Sequence, residues 1–355
     1  MTRTLVMGDP QASFEKLMAV LDNHGALDGD RLASDVVLVS IGDHFDYDSR
    51  DWEAAGQEGV RFLRWLASHD DAQVKLLLGN HDASRVMELV AITDERFAAA
   101  RAFARALDRD VARNARFLAA FPELPTPGLA GRDFASFSAE QRALTMELLL
   151  AGRFRLALAG ELPDGRAALL THAGVTNREV AMLGVPAEPS AIAAALEAHL
   201  ARAIERVRDD WARGVATPLS LAPLHVAGIP GEEGGGLLYH RPTNPERPDA
   251  DRTWELAIER PRRFDPRTLP VGLVQIAGHT GHGKCLEELG AWSTEAARGR
   301  EHGGIRTLRL SGQTVTYDLG VAAPADDVAD LILIDGELRR LPPEEVALLP
   351  LARVA

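Results

Sequence analysis

The stretch "LLLGNHDASR", residues 76–85, is where three leucines stop abruptly at Gly79, Asn80, His81 and Asp82. An apolar run of that length reads as a buried strand. A strand that ends in an amide, an imidazole and a carboxylate delivers polar donors to the rim of its sheet. Four further runs end the same way. "TLVM" (4–7) leads into "GDPQ" (8–11), and "VVLVSI" (36–41) into "GDHFD" (42–46). "AALLT" (167–171) continues as "HAG", and "LVQIA" (273–277) as "GHTGH" (278–282). In α/β sheets, ligands collect beyond the carboxyl ends of the strands, so these five loops can meet at one point. The glycines let the backbone turn sharply there.

Residues of these types support one chemistry well. Two divalent ions about 3.5–4 Å apart need a bridging carboxylate and a mixture of oxygen and nitrogen donors. Asp9, Asp43, Asn80, His172 and His279 supply that mixture. Such a pair lowers the pKa of a bound water from about 15.7 toward roughly 7 and neutralises phosphoryl oxygens. Each block alone is ordinary turn chemistry; five in order, each after a strand, are not.

Composition sets the outer limits. The 355 residues, 46% apolar and 26% charged, suit a folded globular chain. No stretch looks like a disordered linker between two cores, so a single domain over 1–355 is expected. A formal charge of −13 makes nucleic acid an unlikely partner and argues against an anionic membrane surface. It leaves phosphate-bearing substrates open, because clustered cations reverse the local field. One cysteine, Cys285, provides neither a disulfide nor a cysteine-rich zinc site. No stretch reaches about 18 uninterrupted apolar residues, and "MTRTLVMGDP" is too short in apolar run for a signal peptide, so a cytoplasmic chain is expected.

Helical periodicity predicts helices over Phe14–Asn23, Glu53–Ser68, Ser84–Leu107, Ala139–Leu150 and Ser190–Arg213. "IRTLRLSGQTVTYDL" and "LILIDGELRRL" read as β-hairpins with Ser-Gly and Asp-Gly turns. Two stretches read as excursions from the α/β core: a helical insertion at 84–165 and a Gly/Pro-rich loop insertion at 214–270, long enough to cover a site.

In this order the blocks resemble the calcineurin-like metallophosphoesterase superfamily, whose signature runs GD-x-H, GD-x-x-D, GNH-[DE], His-[AG]-Gly and GH. "LLTHAGVT", the "GHT" block and "SFEKLMAVLDNHGALD" look nearest the branch holding Ser/Thr protein phosphatases and ApaH-type diadenosine tetraphosphate hydrolases. The resemblance implies a four-layer αββα sandwich and a dinuclear metal-dependent phosphoesterase. The reaction it implies is in-line attack of metal-bound hydroxide on a phosphomonoester or phosphoanhydride. Asp9 and Gln11 would hold the first ion, Asp43 would bridge, and Asn80, His172 and His279 would complete the second site. His81 would assist the departing oxygen, with Asp46 fixing its tautomer, while Asp82 would be structural support. The substrate would be a phosphorylated small molecule, a nucleotide or a phosphoprotein. A phosphodiesterase and an inactive scaffold of the same fold are the alternatives.

Three positions depart from the family pattern. Gln11 stands where His is usual; its carbonyl is a harder ligand and favours Mn²⁺ or Mg²⁺ over Zn²⁺, with Fe also open. Tyr47 replaces an arginine that would grip phosphate, so Arg241 in "LLYHRP", and then Arg85, are the expected substitutes. Gly281 falls where many phosphodiesterases have a second imidazole, and His282 is expected as a loop residue near the site. His44 is expected at the mouth of the site, and His24, His69, His199 and His302 away from it.

Overall fold

In the computed structural model, residues 2–48, 50–247 and 260–355 are described. Positions 248–259 of the Gly/Pro-rich insertion therefore lie outside the described residues. Strands β1 (Arg3–Met7), β2 (Val36–Ser40), β3 (Val74–Leu77) and β4 (Phe154–Arg155) run parallel in one sheet. The second sheet draws on β5 (Ala157–Glu161), β6 (Ala167–Thr171), β7 (Val274–Ala277), β8 (Arg306–Ser311), β9 (Thr314–Leu319) and β10 (Val328–Leu333). Near the C-terminus, β11 (Leu349–Leu351) joins the first sheet antiparallel to β1, and β12 (Arg353–Val354) closes the second beside β5. The strand orders are β11-β1-β2-β3-β4 and β9-β8-β10-β7-β6-β5-β12.

Three layers of apolar packing hold the two sheets and their helices together. Between the sheets lie Val6, Val39, Ile41 and Leu77 from one side and Leu170, Ile276 and Ile332 from the other. Alternate residues of the same strands, Met7, Leu38, Leu76 and Leu169, face the opposite way into a helix-covered core. Beyond the second sheet, Leu308, Tyr317 and Leu331 pack on Cys285 and Leu289 of the helix at 282–289. With both faces of both sheets buried, the strands must be apolar on both sides, which is why their sequences read as continuous apolar runs. The fold is a four-layer αββα sandwich, as expected.

The helices follow from local signals. Helix α1 (Phe14–Asn23) starts at Ser13, whose hydroxyl accepts from Lys16 N, and it buries Leu17, Val20 and Leu21 at helical spacing. Helix α2 (Trp52–Ala67) is capped by Asp51. The predicted helix from Ser84 is broken: α3 (Asn80–Ser84) is a single short turn, and α4 (Asp94–Ala106) begins only after a new cap at Thr93. Next come α5 (Arg113–Ala120) and α6 (Ala139–Leu150), the latter with a capping box of Ser138 and Gln141. Helices α7 (Asn177–Leu183) and α8 (Pro189–Ala212) complete the layer on that side, and α9 (His282–Leu289) and α10 (Glu295–Arg298) the layer on the other.

Two expectations need correction. Residues 154–161, which the sequence pattern puts within the helical excursion, supply β4 to the first sheet and β5 to the second. "LILIDGELRRL" is not a hairpin: β10 ends at Leu333, and Arg306 Nη2 donates to the Asp335 carbonyl at 2.7 Å, turning the chain inward instead of back along the strand. The other hairpin, β8–β9, forms as read, with Ser311 opposite Thr314.

Candidate metal centre

The five quoted runs are β1, β2, β3, β6 and β7, and the loops that leave their carboxyl ends converge. Asp43, His172 and His279 each offer a ligand atom within 4.8 Å of the others. His172 Nε2 lies 3.4 Å from Asp43 Oδ1 and 3.0 Å from Asn80 Oδ1. Its other ring nitrogen, Nδ1, meets the Ile41 carbonyl at 2.9 Å, which fixes that proton and leaves Nε2 as the donor to a cation. Asp9 joins them, its carboxylate accepting from His279 N at 3.0 and 3.1 Å.

The glycines are there because nothing larger fits. A Cβ on Gly79 would fall 2.2 Å from Asp43 Oδ1, and one on Gly278 would fall 2.0 Å from Asp9 Oδ1. Asp43, Asp46 and His279 themselves adopt left-handed backbone, with φ of 59°, 67° and 61°. Such conformations in non-glycine residues cost energy and are retained where the surrounding structure imposes them, commonly at functional sites.

Electrostatics describe a cage of tightly coupled acids and imidazoles. Burial opposes the Asp43 anion, yet His172 and then His81 hold its carboxyl well below the usual range. Burial likewise opposes a charged His172, but Asp43 and Asp9 lift it to about 9. Asp9 is pushed well up, first by burial and then by the carboxylate of Asp335. His279 goes the other way: burial, then Arg241 and His172, keep it neutral, and its Nε2 is buried without a partner. A neutral His279, an amide oxygen and crowded carboxylates are donors a divalent cation takes, and its charge would replace the proton on His172. The residues present thus fit the metal ions that the fold implies.

Gln11 is half-buried and lines a cavity of 530 Å³ together with Asp9 and His279. Its amide nitrogen donates to the Phe45 carbonyl at 3.3 Å. His81 stands at the edge, with Nδ1 2.9 Å from Asp46 Oδ2 and Nε2 3.8 Å from Asp43 Oδ2. The ring packs edge-on to Phe134 at 5.1 Å. Burial disfavours the imidazolium, but Asp43 and Asp46 outweigh it and the pKa is raised.

Arg241 lines the same cavity and also a smaller one beside Asn80 and His81. Its Nε is buried without a partner, and burial followed by the charge of Arg262 lowers its pKa. Arg85, the second expected phosphate contact, is not at the cavity. It is fully buried and spends its guanidinium on Asp46, Gln141, Ser84 and the His81 carbonyl. Its role is to hold Asp46, which also accepts from Ser136 N at 2.9 Å and Ser136 Oγ at 2.5 Å. His44 is likewise displaced from the mouth of the site: it is buried between Ser40 Oγ and Asp82. Asp82 is the support expected of it, accepting from the backbone of Asp43, His44 and Gly79. His282 opens α9 rather than lying in a loop, and is buried against the Tyr317 hydroxyl at 2.7 Å.

Sequence reasoning missed Ser136, Gln141, Arg262 and Asp335. Gln141 sits in the α6 capping box and Ser136 two residues before the cap, where the residue types signal a helix start and nothing more. Asp335 did carry a signal, since "LILID" is a sixth apolar run that ends in an acid.

The profile of the calcineurin-like phosphoesterase family matches residues 2–153. No curated protein matches. Among solved structures, the cold-active protein-tyrosine phosphatase of a psychrophilic Shewanella species is similar at 12% identity and a TM-score of 0.39, over 95% of this chain and 72% of that one. A further structure of a cold-active protein tyrosine phosphatase gives 14% identity and a TM-score of 0.35, over 80% of this chain and 68% of that one. Likenesses this distant do not bear on substrate. The matched span carries Asp9, Asp43, Asn80 and His81, and the later strands bring His172 and His279 to the same point. The match to the calcineurin-like phosphoesterase family thus spans the strands that carry Asp9, Asp43, Asn80 and His81, less than half of the chain, and supports metal-dependent phosphoester hydrolysis.

Proposed function

We propose that the protein hydrolyses a phosphomonoester or phosphoanhydride with two divalent cations, most readily Mn²⁺. The observation that carries this reading is the convergence of Asp43, His172 and His279 within 4.8 Å, with the Asp9 carboxylate held by His279 N. When bound, such a pair of cations acidifies a coordinated water and screens the phosphoryl oxygens. Asp9, Gln11 and Asp43 would hold the first, and Asp43, Asn80, His172 and His279 the second.

The chain's own residues do the rest. Arg241, which lines the cavity, grips a phosphoryl oxygen and orients the ester. His81 presents Nε2 toward the centre and gives its proton to the departing oxygen. Asp46, held by Arg85 and Ser136, keeps the His81 proton on the correct nitrogen and favours the imidazolium. A monoester or anhydride is favoured over a diester because position 281 offers no imidazole and His282 is turned away into the fold.

The test is hydrolysis of p-nitrophenyl phosphate against bis-p-nitrophenyl phosphate, with Mn²⁺ and after chelation. Faster turnover of the monoester, lost on chelation and restored by Mn²⁺, is expected. Preference for the diester would overturn the substrate assignment, and metal-independent hydrolysis would overturn the mechanism.

A further inference from the structure

The last strand of the second sheet that approaches the centre has no role in the scheme above. Past β10, Ile334 N donates to the Ala277 carbonyl at 2.8 Å, just before the loop that carries His279. On its other side the same turn lies against the loop of Asp9: a Cβ on Gly8 would fall 2.1 Å from Ile334 O and 3.2 Å from Asp335 Cα. Asp335 is thus wedged between the two loops that deliver Asp9 and His279, and it lines their 530 Å³ cavity with Asp9, Gln11 and His279.

The carboxylate is also aimed. Oδ1 accepts from Glu337 N at 3.0 Å, a bond that Glu337 makes from left-handed backbone at φ 56°. Arg306 pins the Asp335 carbonyl at 2.7 Å. Oδ2 is left facing Gly281, where a Cβ would sit 3.3 Å from it. A side chain larger than glycine at 281 would crowd that oxygen. In the same cavity His279, 6% exposed, keeps an unpartnered Nε2. Asp9 is buried and Asp335 half-buried, and carboxylates that share one cavity favour a cation between them.

We propose that Asp335 is a ligand of the first cation, its Oδ2 occupying the place that an imidazole at position 281 would otherwise fill. The first site is then built from oxygen alone, from Asp9, Gln11, Asp43 and Asp335, while the second keeps the nitrogen donors of His172 and His279. Oxygen-only donors suit Mn²⁺ and Mg²⁺, and imidazoles suit Zn²⁺, so the two sites differ in metal preference. This inference rests on the two-cation reading above.

The experiment is calorimetric titration of the full chain, chelated and then given Mn²⁺, with metal content checked by mass spectrometry after gel filtration. The unaltered protein takes up two ions. In Asp335→Asn one of the two should bind at least 10-fold more weakly, since loss of a ligand is no milder than the roughly 10–100-fold cost of disturbing an outer-shell partner. Glu337→Gln removes one charge from the same cavity without removing the ligand and should keep both ions. Unchanged uptake in Asp335→Asn, or equal weakening in both variants, would overturn the assignment. A second measurement needs no substitution: Zn²⁺ competing against two bound Mn²⁺ should displace them in two separated steps, and a single step would overturn it. Uptake of fewer than two ions by the unaltered protein would instead strike the two-cation reading.

Discussion

Arg85 Nη2 stands 2.6 Å from Asp46 Oδ2, and solvent reaches neither side chain. Asp46 in turn holds His81, so a residue that never touches the cavity governs one that does. Removing one partner of a buried pair leaves an uncompensated charge, at a cost of about 3–5 kcal/mol. Arg85→Ala should therefore lower the denaturation midpoint sharply, and where it folds it should lower kcat more than it raises KM. A change in KM alone would mean that Arg85 contacts substrate after all.

His81→Ala should lower turnover by about 10²–10⁴ while leaving metal content unchanged, as expected for a proton donor that is not a ligand. Loss of a metal ion in this variant would move His81 into the cation cage.

Asp46→Asn bears on pH. Asp46 is among the groups that raise the His81 pKa, and in the proposed mechanism the protonated ring is the form that serves the leaving group. With the carboxylate gone the ring loses its proton at lower pH, so the alkaline limb of the kcat profile should move to lower pH. The monoester substrate and saturating Mn²⁺ are the conditions to use; an unmoved limb would remove His81 as the acid.

Chelation should destabilise the fold as well as stop turnover. Ligands that bind only the folded state stabilise it by about 2.7 kcal/mol per site at a free concentration of 100 Kd. Added Mn²⁺ should raise the melting temperature of the chelated protein in a concentration-dependent way. Circular dichroism reads it directly.

Glu88 offers a control that has no part in the proposed proton transfer. Burial lifts its pKa to about 7, and it accepts from Gly228 N at 2.8 Å. The folded state then keeps a proton that the unfolded chain has released, so stability is full below pH about 4.5 and falls as pH rises toward 7, by about 3 kcal/mol in all. Glu88→Gln keeps the hydrogen bond without the charge, and should melt higher than the unaltered protein at pH 8 but not at pH 4.

Much of this is legible in the sequence. All five strands that carry blocks form where the apolar runs lie, because strands buried on both faces cannot hide their composition. The donors at their ends are legible for the same reason: polar residues directly after an apolar run must lie at a sheet's rim. Asp335 escapes notice because Asp-Gly is also the commonest hairpin turn, and only the partners of β10 distinguish the two readings. Arg85 is misread because an arginine next to a metal-binding block looks the same in sequence whether it faces substrate or the back of the site. What fixes it is Gln141, 56 residues away, a contact that no local pattern encodes.

That contact has a practical consequence. Ser136 and Gln141 sit at the start of α6, within the stretch that reads as an accessory to the α/β core. The helices between β3 and β4 are consequently part of the machinery that aims an imidazole. A minimised version of this protein, or a chimera that exchanged the segment for another protein's loop, would keep Asp43, His172 and His279 and lose the contacts that hold Asp46 against His81.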